Sequence, residues 1–187
     1  MKTIYIVIRH IFVFLTILTG FSISQVYELG NTITLEHQNL DLSVCAGGDD
    51  ILNLSSYNHN INGGDEYVIW LDVFAPTWYT CQLEVPDNED LAQMYSDQGL
   101  VYIQAGILWT ETMNCSDWFN LGEDGYPVII DDSEDENFVD WFGPPYPKNV
   151  ILNKDMEIIH ISFGRHYPAI ESGILLGMSQ LSINEDM

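Results

Sequence analysis

The chain has 187 residues, 47% of them hydrophobic, which suits one globular domain built on a single core. It carries 28 acidic residues against 5 basic ones, a formal net charge of −23. Nucleic acid and anionic membrane surfaces are excluded as partners, because both are held by clusters of Lys and Arg that this chain lacks.

Residues 1–24 read as a signal peptide. Lys2 and Arg9 give a positive start, residues 11–23 are an apolar run, and Ser22 and Ser24 predict cleavage before Gln25. The competing reading is an uncleaved anchor, but Arg9 and His10 interrupt a stretch that needs ~20 continuous apolar residues. No cysteine follows the run to accept a lipid. The expectation is export to a periplasmic or extracellular space, with no membrane association after cleavage. What remains has three basic residues, Lys148, Lys154 and Arg165, against all 28 acidic ones. Such an excess reads first as a solvated acidic surface. The run Asp131-Asp132-Ser133-Glu134-Asp135-Glu136 invites a calcium reading, yet it lacks the alternating ligands and the glycine of an EF-hand loop.

Residues 25–65 are mostly polar. Short alternations at Thr32-Ile33-Thr34-Leu35 and Leu40-Asp41-Leu42-Ser43-Val44 are followed by turn signals at Gly47-Gly48-Asp49-Asp50 and Asn62-Gly63-Gly64, which predicts a leading β-hairpin and loop. Residues 67–74 are almost wholly apolar, as in a strand covered on both faces. A tight turn then leads into a helix that carries Cys81, and residues 85–96 read as helix with Leu91, Met94 and Tyr95 on one face and Asp87, Glu89 and Asp90 near the start of that stretch, where the helix dipole favours negative charge. Residues 100–108 are a second apolar strand. Strand, helix, strand at this spacing makes a βαβ unit with a parallel sheet.

Beyond it, residues 115–121 predict a helix with Trp118 and Phe119 inward, 127–130 a short strand and 137–142 a short helix. Residues 149–153 and 157–163 form an antiparallel pair around Asn153-Lys154-Asp155, and residues 170–181 close the chain as a helix. Trp70, Trp109, Trp118, Trp141 and Phe142 are read as core. His37, His59, His160 and His166 show no metal-ligand spacing, and no phosphate loop or Gly-x-Ser-x-Gly turn is present, so no metal and no cofactor is expected. Cys45, Cys81 and Cys115 allow one disulfide and one free thiol, and spacing leaves all three pairings open.

Four segments share one resemblance. Ala75-Pro76-Thr77-Trp78-Tyr79-Thr80-Cys81-Gln82-Leu83-Glu84-Val85-Pro86 follows the run Ala-x-Trp-Cys-x-x-Cys-x-x-Glu-x-Pro, with Cys81, Glu84 and Pro86 in register and Trp78 where the first cysteine belongs. Asp72 lies six residues before that position. Tyr126-Pro127-Val128-Ile129-Ile130-Asp131-Asp132 is similar to a "YPvl-D" strand. Pro147-Lys148-Asn149-Val150-Ile151-Leu152-Asn153-Lys154-Asp155 is similar to the segment that begins with a cis-proline facing the active site. In this order the chain resembles the exported redoxin family of thioredoxin-like thiol-disulfide oxidoreductases and peroxiredoxin relatives, over about residues 67–181. The resemblance implies an α/β thioredoxin-like fold: a central mixed β-sheet flanked by helices, with an N-terminal β-hairpin extension. The signal peptide would then occupy 1–24, the hairpin and loop 25–65, and the thioredoxin-like domain 66–187.

Thiol-disulfide exchange needs one thiolate to attack and a second thiol to resolve the mixed disulfide. In the family the first cysteine attacks from a helix N-terminus, which lowers its pKa, and the second resolves one turn later. Trp78 cannot attack, and Cys81 matches the resolving position. Three readings of Cys81 follow. It is a lone reactive thiol, or it pairs with Cys115 across neighbouring loops of the sheet edge, or it packs as a small apolar residue. Glu84 and Asp72 are candidate proton-transfer groups with a purely structural alternative. Pro147, with Tyr146 before it, and Trp78 outline a groove. The leading expectation is a redoxin-domain protein whose modified active site acts on protein thiols and disulfides through Cys81. Its rivals are a redox-inactive module holding extended polypeptide segments, and a one-cysteine peroxidase. Against the peroxidase, Pro76, Thr77 and Cys81 match its motif only loosely, and Arg165 is the sole arginine after the leader.

Overall fold

A computed structural model describes residues 27–122 and 127–182. The signal-peptide expectation and Tyr126 of the strand motif lie outside the described residues.

The fold grows outward from one strand. In β3 (Val68–Phe74) every residue is buried, as an unbroken apolar run requires when both faces are covered. The helix α2 (Tyr79–Ser96) crosses over to β4 (Leu100–Gly106), which pairs with β3 in parallel from Val68↔Leu100 to Phe74↔Gly106. The strand β5 (Val128–Asp131) extends the parallel set beside β4. On the other side β6 (Lys148–Leu152) runs antiparallel to β3, and β7 (Ile158–Phe163) runs antiparallel to β6. The helix α5 (Tyr167–Met178) then packs back on β6 and β7, with Pro168 in its first turn, where a missing N–H costs nothing.

Alternation along β3 assigns the two faces. Ile69, Leu71 and Val73 join Phe138, Trp141 and Phe142 of the helix α4 (Asn137–Phe142), together with Tyr27 and Ile33. Val68 and Trp70 meet Ala92 and Tyr95 of α2 and Ile170 and Ile174 of α5. Phe74 continues that second face into a smaller cluster with Cys81, Val85 and Trp118, the last on the helix α3 (Cys115–Phe119).

The N-terminal region departs from its expected layout. Thr34 does not continue a strand: its hydroxyl accepts the His37 N–H and caps the short helix α1 (Leu35–Gln38), while Thr32 makes only an isolated bridge to Glu157. A threonine side chain that bonds nearby backbone competes with a β ladder, and here it wins. The hairpin consists of β1 (Leu42–Ala46) and β2 (Ile51–Leu52), and it is not a separate layer. β1 pairs antiparallel with β5, giving one sheet of seven strands in the order β2-β1-β5-β4-β3-β6-β7. Its turn needs glycine at position 47. There φ is +78°, and a Cβ would stand 1.9 Å from the Pro127 carbonyl oxygen.

The helix α2 carries Cys81, as the turn after β3 predicts, and runs on through Pro86 without a break. Proline removes one hydrogen bond and usually marks a helix start. The buried stripe of Cys81, Glu84, Val85, Asn88, Glu89 and Ala92 holds the turns on both sides of it against the sheet.

The candidate pairing Cys81–Cys115 is overturned. Cys115 is bonded to Cys45, with Cα atoms 6.1 Å apart, and Cys81 is free and buried. The register of β1 on β5 shifts between Val44 and Ala46, and the bulge turns the exposed Cys45 toward the start of α3. Cys81 is packed in the Phe74 and Trp118 cluster, which Cys115 flanks with its sulfur already taken by Cys45. The bond closes a loop with a sequence separation of 70 residues. Replacing both Cys45 and Cys115 by Ser is expected to lower the unfolding free energy by about 4 kcal/mol in urea denaturation.

Candidate functional site

The parallel strands β3, β4 and β5 end on one edge of the sheet, and antiparallel β6 begins there. That edge gathers most of the residues singled out in the sequence. After β3 the chain turns through Ala75, whose carbonyl accepts the Trp78 N–H, and the Trp78 carbonyl accepts the Cys81 N–H to open α2. The Gln82 side chain closes the same turn on the Pro76 carbonyl at 2.8 Å. Trp78 occupies the N-cap of α2 without a side-chain cap and is 46% exposed.

Across from it, the Tyr146–Pro147 peptide is cis. The register Lys148↔Val73 brings Pro147 alongside the end of β3. The buried Lys148 ammonium donates to the carbonyls of Phe142, at 2.6 Å, and Pro144, at 3.2 Å. These bonds hold the loop that carries Tyr146, and burial lowers the Lys148 pKa. The rings of Trp78 and Tyr146 meet at a centroid distance of 6.4 Å and an angle of 60°. The Tyr146 ring is buried, and its hydroxyl has no partner.

Beneath this aromatic pair lies a dry polar cluster. Asp72 Oδ2 accepts from Asn88 Nδ2 at 3.2 Å, from the Tyr102 hydroxyl at 3.1 Å and from Gln104 Nε2 at 3.2 Å, while Oδ1 has no partner. Gln104 in turn accepts from Trp118 Nε1 at 3.0 Å. Burial outweighs the three hydrogen bonds and raises the Asp72 pKa to about 6. Glu84, one turn after Cys81 and also buried, is pushed up to about 7 by burial and then by the charge of Asp72, with Arg165 opposing.

Cys81 sits between them at 2% exposure. Burial pushes its thiol up to about 11, and the Asp72 and Glu84 charges add to the rise against a backbone hydrogen bond at Ala75. A thiolate is therefore suppressed here, the reverse of what a helix start does for an attacking cysteine.

Asp72, Cys81 and Glu84 thus form one buried group, with Trp78, Tyr146 and Pro147 above it. Cys115 is not among them. Sequence reasoning missed Asn88, Tyr102, Gln104 and Trp118 as partners of this group. The signal was present in β4, where Tyr102 and Gln104 interrupt an apolar strand at the alternation that faces Asp72. A second buried carboxyl also went unnoticed. Asp132 accepts the N–H groups of Asn137 and Phe138 and anchors the start of α4, and burial raises its pKa to about 7. Among the described residues no group of three or more His, Cys, Asp or Glu is arranged to hold a metal ion, and no helix is long and apolar enough to cross a membrane.

The strand order, the βαβ unit followed by ββα, and the edge with an aromatic turn opposite a cis-proline define the thioredoxin fold. Solved structures with that fold match closely in shape. MTB dsbF, in its mixed oxidized and reduced forms, superposes with a TM-score of 0.62 at 13% identity, over 78% of this chain and 98% of its own. A secreted Mycobacterium tuberculosis disulfide oxidoreductase homologous to E. coli DsbE gives 0.57 at 10% identity, over 76% and 99%. A thiol:disulfide interchange protein of the thioredoxin family from Chlorobium tepidum gives 0.55 at 11%, over 78% and 99%. No family model matches the sequence, and no curated protein does.

Two outcomes are expected from the buried group. With a thiol pKa near 11, native Cys81 alkylates more than roughly 100-fold slower than an ordinary cysteine at pH 7, and denaturant abolishes the difference in a mass-spectrometric time course. Asp72 titrates near 3.8 when unfolded and near 6 when folded, so the folded state binds the extra proton between those values. Its stabilisation is full below about pH 4 and is lost as pH rises through about 6. The thermal midpoint should therefore fall from pH 5 to pH 8, and Asp72→Asn should remove about 1.4 kcal/mol of the pH dependence over that range.

Proposed function

We propose that the chain is an exported polypeptide-binding protein on a thioredoxin frame, one in which the attacking thiol has been replaced by a docking residue. The observation that carries this reading is the pairing of half-exposed Trp78 with Tyr146 at the sheet edge, above a cysteine that is buried and held as a thiol. An extended segment crossing that edge would lay an apolar side chain on the two rings, where aromatic contact area drives association. Tyr79 and Leu83, one helical turn apart, are exposed too.

Neighbours described as thiol:disulfide interchange and disulfide oxidoreductase proteins support descent from exchange enzymes, and a neighbour described as secreted accords with the leader-like residues 1–24. Exchange through Cys81 has its burial against it. Exchange through a Cys81–Cys115 pair has the bond between Cys115 and Cys45 against it. In this reading Asp72 and Glu84 are packing groups of the old site, without a thiol to serve.

Calorimetric titration with a permanently unfolded, carboxymethylated protein tests the reading. Binding in the micromolar range is expected, and Trp78→Ala should weaken it about 10-fold, since loss of a central aromatic anchor costs on the order of 1–2 kcal/mol. Binding unaffected by Trp78→Ala would overturn the assignment. Restoring the cysteine is the complementary test. Trp78→Cys should accelerate insulin reduction by dithiothreitol at least about 10-fold over the parent, because only the attacking thiol is missing from the frame.

A further inference from the structure

One segment supplies much of the packing around Cys81. From Leu108 to Leu121 the chain leaves β4, turns back through a bridge between Thr110 and Met113, and forms α3. Its hydrogen bonds are nearly all its own. Thr110 and Met113 exchange backbone bonds, and Asn114 and Asp117 form a reciprocal capping box. The amides of Trp118, Asn120 and Leu121 donate to the carbonyls of Asn114, Ser116 and Trp118. Among the described residues, one hydrogen bond leaves the segment, from Trp118 Nε1 to Gln104. The segment is therefore built as a flap, which keeps its internal bonds whether or not it lies on the body.

Apolar packing and one covalent bond supply the rest of its attachment. Trp118 lies in the cluster that buries Cys81, and Trp109, Met113, Cys115, Phe119 and Leu121 pack against that cluster. Trp109 meets Phe74 edge-on at 5.6 Å, and its buried indole N–H has no partner among the described residues. An unsatisfied buried donor is a cost of the closed position that opening to water relieves. Against that cost stands the bond from Cys115, at the head of α3, to the exposed Cys45 on the bulge of β1.

We propose that Cys45–Cys115 is a redox latch, which holds residues 108–121 over Cys81 when oxidised and frees them to open when a dithiol protein reduces it. One thiolate of the dithiol attacks the Cys45 sulfur and releases Cys115 as a thiolate. The second thiolate of the dithiol then closes its own disulfide and displaces Cys45. The dithiol leaves oxidised by two electrons, and Cys45 and Cys115 each take up a proton. Unlatched, the flap opens as a local unit at a lower free energy than the whole domain. The reduced protein then offers a thiol one helical turn from Trp78, where the oxidised protein offers none. The latch is independent of what Trp78 holds.

The rate of Cys81 alkylation tests this, followed by peptide mass spectrometry on the full chain at urea concentrations below the unfolding transition. Reduction with a phosphine that is then removed should accelerate Cys81 at least about 10-fold, with far-ultraviolet circular dichroism unchanged. Reoxidation should restore the slow rate. The double variant Cys45→Ala with Cys115→Ala should be as fast without reductant. Local opening exposes little surface, so the fast rate should depend on urea much less steeply than global unfolding of the same reduced protein. A Cys81 rate unchanged by reduction would overturn the latch. A fast rate with the full urea slope of global unfolding, or loss of the fold on reduction, would also overturn it, because the bond would then brace the whole domain.

Discussion

One buried carboxylate organises the functional end of this protein. Asp72 lies in the middle of a strand with no solvent on either face, so its hydrogen bonds must come from the protein. They come from two elements at once: Asn88 reaches down from α2, and Tyr102 and Gln104 reach across from β4. Satisfying one side chain therefore fixes how the helix sits on the sheet. That docking buries Glu84 and Cys81, which share the stripe on α2 with Asn88, and it leaves Trp78, at the helix start, outside. The balance of magnitudes is visible in the titration. Three neutral donors do not offset the loss of water, and the Asp72 pKa still rises to about 6. A half-satisfied carboxyl is an expensive feature for a core. The dry environment that strains it is the same environment that silences the cysteine.

Much of this was legible in the sequence, and the parts that were not have specific causes. The strands of the sheet centre announce themselves because two-sided burial leaves no polar alternation, as in VIWLDVF. Asp72, Glu84, Trp78 and Pro147 were legible together because each falls at its place in the motifs of the redoxin resemblance. The helix start ahead of Cys81 was legible from the turn that precedes it, and the buried stripe carries the helix through Pro86. The disulfide was hidden by a bulge. Spacing cannot show that the ladder slips between Val44 and Ala46, at the residue that bonds Cys115. Thr34 illustrates the same limit on a smaller scale, because alternation favoured a strand and one hydroxyl-to-amide bond selected a cap. The partners of Asp72 fell between these cases. A glutamine two residues after a tyrosine in an apolar strand is a visible anomaly, but its target becomes evident only once β4 is set in register with β3.

The disulfide and the short outer strands belong together. β2 has two residues and β1 has five, and the pair hangs on β5 through a ladder that slips. Short strands paired through a slipped ladder add few hydrogen bonds, though Leu42 and Leu52 reach the main core. The Cys45–Cys115 bond ties the pair to α3, whose Trp118 stacks on Phe74 at 3.9 Å and bonds Gln104. The covalent tie therefore reaches the Asp72 network through only two side chains, Trp118 and Gln104. In thioredoxin-like enzymes cysteine pairs serve chemistry. In this chain the pair supports the scaffold, and the residue at the head of the helix is free to do something else.

What it can do follows from the exposed turn itself. A cysteine at position 78 would contribute a thiolate and very little contact area. A tryptophan there cannot carry a mixed disulfide, but it offers an amphipathic plane. With 46% of its surface open, Trp78 presents roughly 100 Å² to a partner. Burying that area contributes about 2–3 kcal/mol before ordering costs, enough to matter for a weak polypeptide complex but not to trap one. On the polypeptide-binding reading, Trp78 would offer an apolar hold at the place where the exchange enzymes of this fold offer a covalent one.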